Sequence, residues 1–526
     1  MNKVFEDRLK ALTDRGPAKI VWGGRKGVEK ESLRVSSTGR LSHRPHPAGL
    51  GSALTNAYVT TDFSEALLEF VTPAFSHTWE TLQFLNDTHQ FTYAQLGDEL
   101  LWTASMPCLI SADGEIPLAQ YGSSNVARMK TVYRKGLGFR YGRNMQTIAG
   151  IHFNYSLPQS FWSVYQDIEE SDHDIDAFRS SHYLGLIRNF RRFGWLVLYL
   201  FGASPALCKS FIAGTKTDLP EFDSESYFEP FGTSLRMSDL GYTSDTQAAI
   251  NISLNDLDEY VRDLSAAIDT PEPAYEEIGV QVDGEYRQLS VNKLQIENEY
   301  YSPVRPKRVA QTGERPTTAL RRGGIEYIEI RSLDLNVFDP VGINQNAMRF
   351  MEAFLIYCLL SDSPALDDAS CMESESNHAG TSKSGRDPAF KLTRQGKEIA
   401  LTDWAEEILQ GVRAVAELID RGGDSDEYVL ATDAQLELVK NADATPSARI
   451  LTDLRSNETG FFRYTLEHAK QHKEYFSELA PLSTQRLAMF EQEASDSIAR
   501  QAQIEATDDE SFEAYLARYF GPQELR

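Results

Sequence analysis

The sequence has few cysteines, a deficit of basic charge and no apolar run long enough to cross a bilayer. Its four cysteines, Cys108, Cys208, Cys358 and Cys371, lie far apart and form no Cys-x-x-Cys pair, which argues against a disulfide framework and for a reducing, cytoplasmic setting. The longest apolar stretch, Trp195 to Ala203, is far short of the ~20 residues a membrane helix needs. A membrane is therefore not an expected partner. At the N-terminus, Phe5, Leu9 and Leu12 recur at helical spacing among Glu6, Arg8, Lys10 and Arg15, the pattern of an amphipathic helix rather than a secretory leader. With 77 acidic against 52 basic residues and a formal charge of -25, the surface is unsuited to neutralising a phosphate backbone, so nucleic acid is not expected either. No Gly-x-x-x-x-Gly-Lys-Ser/Thr loop occurs, and Gly49 to Leu54 lacks the third glycine of a dinucleotide-binding turn.

What is present is a globular composition: 41% hydrophobic, 11% aromatic and 25% charged residues over 526 positions, enough to bury a sizeable core. That length accommodates three ordinary domains or one large catalytic domain with helical additions. Strand-like segments are confined to the region before residue 341, and the remainder reads as helices. We expect an α+β chain with a sheet-containing catalytic core over 1–340 and a mostly helical part over 341–526 packed on the same domain.

The central stretch is Val28 to Val35, after the glycine-bearing turn Gly23 to Gly27. Read as a strand, it places Glu29 and Glu31 on one face, roughly 6.6 Å apart, beside Leu33 and Val35. Two such charges repel by about 0.6 kcal/mol in water and about 2.5 kcal/mol at an effective dielectric of 20. A partly buried pair then calls for a cation or a proton, whereas a solvated strand end needs neither. Within Ala57 to Pro73 the second half reads as another strand, stopped by Pro73, with Glu65, Leu67, Glu69 and Val71 on one face and Asp62 just before it. Glu65 is expected at the surface and Glu69, between Leu68 and Phe70, in a functional position.

Residues 77 to 97 are expected as a helix with a broad apolar face. Six Arg/Lys residues then fall within the sixteen positions from Arg128 to Arg143, either a solvated helix face or a site for anionic ligands. Met145 to Leu157 reads as a third strand, with His152, Asn154 and Ser156 opposite Ile151, Phe153 and Tyr155. Asp176 to Cys208 reads as a helix stopped near Gly202, and a further helix runs from Leu254 to Asp269. Gln295 to Arg308 ends in a basic, proline-punctuated loop, and Gly323-Gly324 opens the most regular strand, Ile325 to Asp334. On it Glu329 and Arg331 share a face, able to serve metal and phosphate side by side or to form an exposed ion pair. Beyond residue 341 helices are expected over 343–361, 402–421 and 461–476, loops over Ser361 to Pro388 and Gly422 to Tyr428, and one or two charged helices after Glu491.

Five carboxylates in strand or strand-edge contexts, Glu29, Glu31, Asp62, Glu69 and Glu329, with His152 added, form an oxygen-rich set suited to Mg²⁺ or Mn²⁺ rather than Zn²⁺. Arg134, Arg236 and Arg331 add anion-binding capacity. Carboxylates holding divalent ions beside arginines is the arrangement phosphoryl transfer needs. ATP would then be held by an antiparallel sheet and metals, not by a P-loop.

Six ordered blocks, Gly27 to Val35, Thr60 to Phe70, Ser105 to Cys108, Gln120 to Gly122, Phe201 to Pro205 and Gly323 to Asp334, closely resemble the gammaproteobacterial type of glutamate–cysteine ligase. The resemblance runs from about residue 20 to 360 and weakly to the end. It implies ATP-dependent formation of γ-glutamylcysteine, the first step of glutathione synthesis, through a γ-glutamyl phosphate, on a curved and mainly antiparallel sheet like that of glutamine synthetase. Carried over by motif, Glu29, Glu31, Asp62, Glu69, His152 and Glu329 would hold divalent ions. Arg331 would meet the transferring phosphoryl group, and Arg236 with Asn154 the glutamate substrate. Tyr133, Arg134, Leu137, Gln146, Tyr242 and Tyr301 would shape the cysteine pocket. The implied partners are small molecules alone, L-glutamate, L-cysteine and ATP, acting on a monomer. Ser361 to Pro388 departs from the family pattern. A same-superfamily ligase using another amine, and a non-catalytic metal-binding relative, are the two alternatives.

Overall fold

Seven strands form one sheet: β1 (Arg25–Val35), β2 (Val59–Thr61), β3 (Leu67–Val71), β4 (Leu100–Leu101), β5 (Ile151–Ser156), β6 (Val304–Lys307) and β7 (Tyr327–Leu333). Their order is β6-β7-β5-β1-β3-β2, with β4 on the far end of β1, and every pairing is antiparallel. The α+β class and the antiparallel sheet expected from the sequence are thus present. This computed structural model describes residues 3–521 apart from 17–20, 22, 108, 109, 111, 112, 242–244, 312 and 424. No helix among the described residues is long and apolar enough to cross a membrane.

β1 is the hub, because its 11 residues are long enough to pair with β5, β3 and β4. Residues directly opposite in an antiparallel ladder point to the same face. The register sets Glu31 opposite Glu69, Glu29 opposite His152, and Glu329 opposite both Asn154 and Arg305. Charges from five strands therefore stand on one face. Gly324, at φ +70°, supplies the left-handed turn from which β7 departs.

The other face of β1 carries Lys26 and Lys30 into the helical layer. Lys26 Nζ lies 2.5 Å from Glu352 Oε2 on the helix Gln345–Leu360, and both side chains are fully buried. The same carboxylate accepts from Tyr428 Oη at 2.6 Å and from Tyr155 Oη at 3.3 Å, while Lys26 also donates to the Ser76 carbonyl at 2.8 Å. Every member of the network has a partner, as burial of charge demands. Lys30 has a different environment: its ammonium donates to His89 Nε2 at 2.8 Å, the ring's Nδ1–H being given to the Leu85 carbonyl. Burial alone brings Lys30 down to about 7, and burial together with the Lys30 and His472 charges holds His89 well below its ordinary range. One apolar core takes in Phe5, Val28, Phe153, Phe350, Val412 and Phe490, residues from both the sheet region and the helical C-terminal part.

Several expectations change. The helix expected over 176–208 is two helices, Ile175–Phe193 and Trp195–Phe201, separated at Gly194 and followed by a short strand Ala206–Cys208. The third strand is shorter than 145–157, because Met145–Thr147 forms a 3-10 turn before β5. The proline-punctuated loop is the edge strand β6, where Pro306 is tolerated because one side has no neighbour. Ser361 to Pro388 is not a loop: it contains the helix Asp368–Ser384, capped by Asp367 Oδ1 accepting from Ser370 N at 2.8 Å. Ser374, Asn377, Thr381 and Ser382 are buried, and Asn377 exchanges two hydrogen bonds with the backbone of Thr393, so tertiary pairing overrides composition. Gly422 and Gly423 belong to the helix Leu401–Gly423, and the next helix opens at Glu427. Glu65 is buried rather than exposed, accepting from the backbone of His46 and Gln120. Cys358 and Cys371 are free, whereas Cys208 is disulfide-bonded, which the reading of a reducing compartment does not anticipate.

Breaking the Lys26–Glu352 pair from one side leaves an uncompensated buried charge. Glu352→Ala is expected to lower unfolding stability by about 3–5 kcal/mol, and the double change Lys26→Met/Glu352→Leu by clearly less; urea denaturation checks both. For Lys30 the folded pKa lies below the unfolded value of 10.5, so between about pH 7 and 10 the unfolded chain binds the extra proton and stability rises with pH. Lys30→Met should raise stability at pH 7 and flatten that rise, read by denaturation at pH 7 and pH 9.

Candidate active site

The charged face of the sheet forms the floor of a cavity of about 280 Å³. Glu29, Glu31, Asp62, Glu69, His152 and Glu329 all line it, together with Arg331, Arg236, Arg134, Tyr133, Leu137, Gln146 and Tyr301. Asn154 stands beside it and donates to Glu29 Oε1 at 2.8 Å. Tyr242 lies outside the described residues.

The face divides into two halves. In the first, His152 Nδ1 lies 3.0 Å from Glu29 Oε2 and 3.9 Å from Glu329 Oε1, and one ligand atom from each of these residues falls within 4.8 Å of the others. Burial works against the charge of Glu329, but Lys307, Arg331, His152 and Arg305 together hold it well below the usual carboxylate range. Glu29 is likewise lowered: burial and the Glu329 charge oppose this, and the His152 hydrogen bond, the His152 charge and Lys307 together outweigh them. In the second half burial raises Glu31, with the neighbouring Asp62 charge adding to it, even though Gly150 N donates to Glu31 Oε2 at 2.7 Å. Glu69, opposite Glu31 in the ladder, is raised well above its ordinary value by burial and by the charges of Glu29, Asp62 and Glu31.

Arginines frame both halves. Arg236 Nη2 donates to the Arg331 carbonyl at 2.8 Å and Nη1 to the Leu333 carbonyl at 3.3 Å. Arg331 Nη1 reaches Glu329 Oε2 at 3.4 Å. The Nε atoms of Arg236, Arg305 and Arg331 are buried with no hydrogen-bond partner among the described residues, so donors remain for an anionic ligand. Arg134 lies over the Tyr121 ring at 4.7 Å and donates to the Asp62 carbonyl, which holds the Asp62 loop against the helix Asn125–Tyr141. A larger chamber of about 690 Å³ adjoins the site and shares Tyr141, Arg236, Gln247 and Tyr301 with it.

Sequence reasoning missed Phe63, Tyr141, Met145, Gln247, Asn298, Glu299, Arg305 and Lys307. For Arg305 and Lys307 a signal exists: they alternate across Pro306, which pairs with the Glu329 strand, but a proline ordinarily marks a loop. Glu299 is buried and accepts from Tyr141 Oη at 2.7 Å and Arg140 Nη1 at 3.0 Å, an arrangement without a local sequence pattern. Most of the basic stretch from Arg128 to Arg143 braces the fold: Arg140 lies over Tyr275, Arg128 over Phe512, and Lys135 pairs with Glu285. Only Arg134 faces the cavity.

The residues present suit a hard divalent cation. Five carboxylates and one imidazole match the oxygen-rich donor set of Mg²⁺ or Mn²⁺, and the burial and mutual repulsion that raise Glu31 and Glu69 are what such an ion would offset.

A family model described as glutamate–cysteine ligase matches residues 9–380. A glutamate–cysteine ligase of Alcanivorax borkumensis is 51% identical over 527 residues, covering 98% of this chain and 99% of the relative. One from Pseudomonas putida is 49% identical, covering 94% of each chain. The structure also superimposes on a crystal structure of glutamate–cysteine ligase from Francisella tularensis in complex with AMP, with a TM-score of 0.89, 36% identity and coverage of 95% of this chain and 97% of that one. A bifunctional glutathione synthetase from Pasteurella multocida, 24% identical with a TM-score of 0.73, shares the fold over 89% of this chain and 55% of its own.

Glu29→Gln and His152→Ala are each expected to weaken Mn²⁺ binding by about 10–100-fold while the thermal midpoint moves little. Titration followed by electron paramagnetic resonance measures this, and wild-type affinity in Glu29→Gln would remove Glu29 from the ligand set.

Proposed function

This chain belongs to the glutamate–cysteine ligase family, and from that premise we propose how its own residues carry the reaction. It is an ATP-dependent ligase that joins the γ-carboxylate of L-glutamate to the amine of L-cysteine through a γ-glutamyl phosphate, the first step of glutathione synthesis. The single observation that carries the residue assignment is the register that aligns carboxylates, histidine and arginines on one face above one cavity.

In the first step the γ-carboxylate attacks the terminal phosphorus of ATP and ADP departs. Glu29, His152 and Glu329 would hold one divalent ion and Glu31, Asp62 and Glu69 a second, taken here as Mg²⁺ with Mn²⁺ as substitute. Bound there, such ions would offset charge on the phosphates and orient the terminal one. Arg331 is fixed beside Glu329 and directs its guanidinium at the transferring group, where negative charge spreads over three oxygens. Arg236, anchored to two backbone carbonyls of β7, presents its Nε to the α-carboxylate of glutamate. Asn154 orients Glu29 and would through it help hold the first ion. In the second step the cysteine amine attacks the acyl carbon, phosphate leaves and the amine loses a proton. Tyr133, Arg134, Leu137, Gln146, Tyr242 and Tyr301 would seat the acceptor, and Tyr301 is positioned by its backbone N–H to Gln247 Oε1 at 2.8 Å.

The cytoplasm is proposed as the setting and a monomer as the working unit. The segments 1–340 and 341–526 are proposed to act as one domain, supported by their shared core. Phosphate release from ATP, measured with L-glutamate and a panel of amines offered singly, tests the reading. Release is expected with L-cysteine above all, and its absence with cysteine would overturn the assignment. Arg331→Ala should lower kcat by about 100–1,000-fold with a smaller change in the KM for glutamate.

A further inference from the structure

Three cations surround Glu329, and they differ in how firmly they are held. Arg331 and Arg305 face its Oε2 at 3.4 and 4.0 Å. Arg305 is tied down elsewhere, its Nη2 donating to the carbonyls of Asn298, at 3.0 Å, and Tyr300. Lys307 faces the other oxygen, its Nζ lying 3.2 Å from Oε1. It stands on the edge strand β6, and its side chain is the most exposed of the three at 30%. A lysine ammonium on a four-carbon stem at a cavity wall is the mobile member of such a trio, and a planar guanidinium bonded to two carbonyls is the fixed one.

Oε1 is also the Glu329 oxygen turned toward the ion triad, 3.9 Å from His152 Nδ1. A divalent ion binds carboxylate oxygens at about 2.0–2.1 Å for Mg²⁺. An ammonium held at 3.2 Å from the same oxygen would then stand close to a double positive charge with little water between them. The two occupancies oppose each other. Glu329 would stay compensated without Lys307, because Arg331 and Arg305 sit on its other oxygen.

We propose that Lys307 is an exchangeable counter-ion: it yields Glu329 Oε1 to the divalent ion and moves to the phosphates of the nucleotide. This rests on the ligase reading above. A nucleoside triphosphate brings its negative charge to the ion triad, and a displaced ammonium on the adjacent wall is a suitable point-charge partner for it. Binding of the ion then frees the cation that receives the nucleotide, so the ion both neutralises the phosphates and recruits Lys307 to them.

The two roles predict effects of opposite sign from one substitution. Lys307→Met should bind Mn²⁺, titrated without nucleotide and followed by electron paramagnetic resonance, about tenfold more tightly. The same variant at saturating Mn²⁺ should bind ATP about tenfold more weakly by calorimetry. Lys307→Arg keeps the charge and should show neither the tighter Mn²⁺ binding nor more than a slight loss of ATP affinity. If Lys307→Met does not fold, Lys307→Gln makes the same test. Unchanged or weaker Mn²⁺ binding in the neutral variant would mean that Lys307 only supports Glu329, and unchanged ATP binding would deny the phosphate contact; either result overturns the exchange. Failure of the wild-type protein to bind Mn²⁺ or ATP would instead overturn the ligase reading, independently of any variant.

Discussion

Repulsion among carboxylates on one face of a sheet is the constraint on which the rest of this structure depends. Glu31 and Glu69 are directly opposite in the β1–β3 ladder, where Cβ atoms stand about 4.5–5.5 Å apart and like charges are destabilising. Such an alignment survives only if the strands that carry it are fixed by interactions elsewhere. β1 is fixed from behind, where the Lys26–Glu352 network ties it to the helix Gln345–Leu360 and to Tyr428 at the opening of the helix Glu427–Lys440. The helical C-terminal part therefore has a definite relation to the site: among the described residues it contributes none of those lining the candidate cavity, yet it anchors the strand at the centre of that cavity.

How far this was legible from the chain follows from the range over which each signal acts. Strand alternation has a period of two residues, so the shared faces of Glu29 with Glu31, His152 with Asn154 and Glu329 with Arg331 could be read locally. Register is a relation between strands, and nothing local states that Glu29 faces His152 or that Glu329 faces Arg305. Residue chemistry grouped the carboxylates with His152 and the resemblance to a ligase family gave that set its role, while neither reached Arg305. Composition misled in two places for the same reason. Pro306 suggested a loop and Ser/Asp content suggested another, but an edge strand tolerates proline, and the helix Asp368–Ser384 is held by bonds such as that of Asn377 to Thr393, which composition does not reveal. Glu65 is a third instance, a carboxylate expected in water that instead bonds two backbone amides.

The basic helix Asn125–Tyr141 shows why charge density alone does not identify a site. Arg140 is consumed by Glu299, Gln288, the Ser290 carbonyl and the Tyr275 ring. Arg143 donates to the backbone of Ile116. These are internal braces on a wall of the cavity that faces the acidic floor. Arg134 belongs to both categories, since it holds the Asp62 loop by its carbonyl while presenting charge to Asp62 and Glu69.

The asymmetry between the two halves of the acidic face organises the chemistry. The half with Glu29, His152 and Glu329 is surrounded by Lys307, Arg305 and Arg331, and its two carboxylates are stabilised in the charged form. The half with Glu31, Asp62 and Glu69 has Arg236, Arg331 and Arg134 about it, yet burial and the neighbouring carboxylates make Glu31 and Glu69 hold their protons more tightly. On the proposed assignment, the cation-rich half meets the nucleotide, which brings negative charge with it. The half whose carboxylates hold their protons lies toward Arg134 and Tyr133, where on that assignment the neutral amine of the acceptor arrives. An amine attacks only when unprotonated, and a surrounding of excess positive charge favours that state while excess negative charge opposes it. A divalent ion on Glu31, Asp62 and Glu69 would therefore do more than bind phosphate: it would cancel the negative field that otherwise holds a proton on the incoming amine.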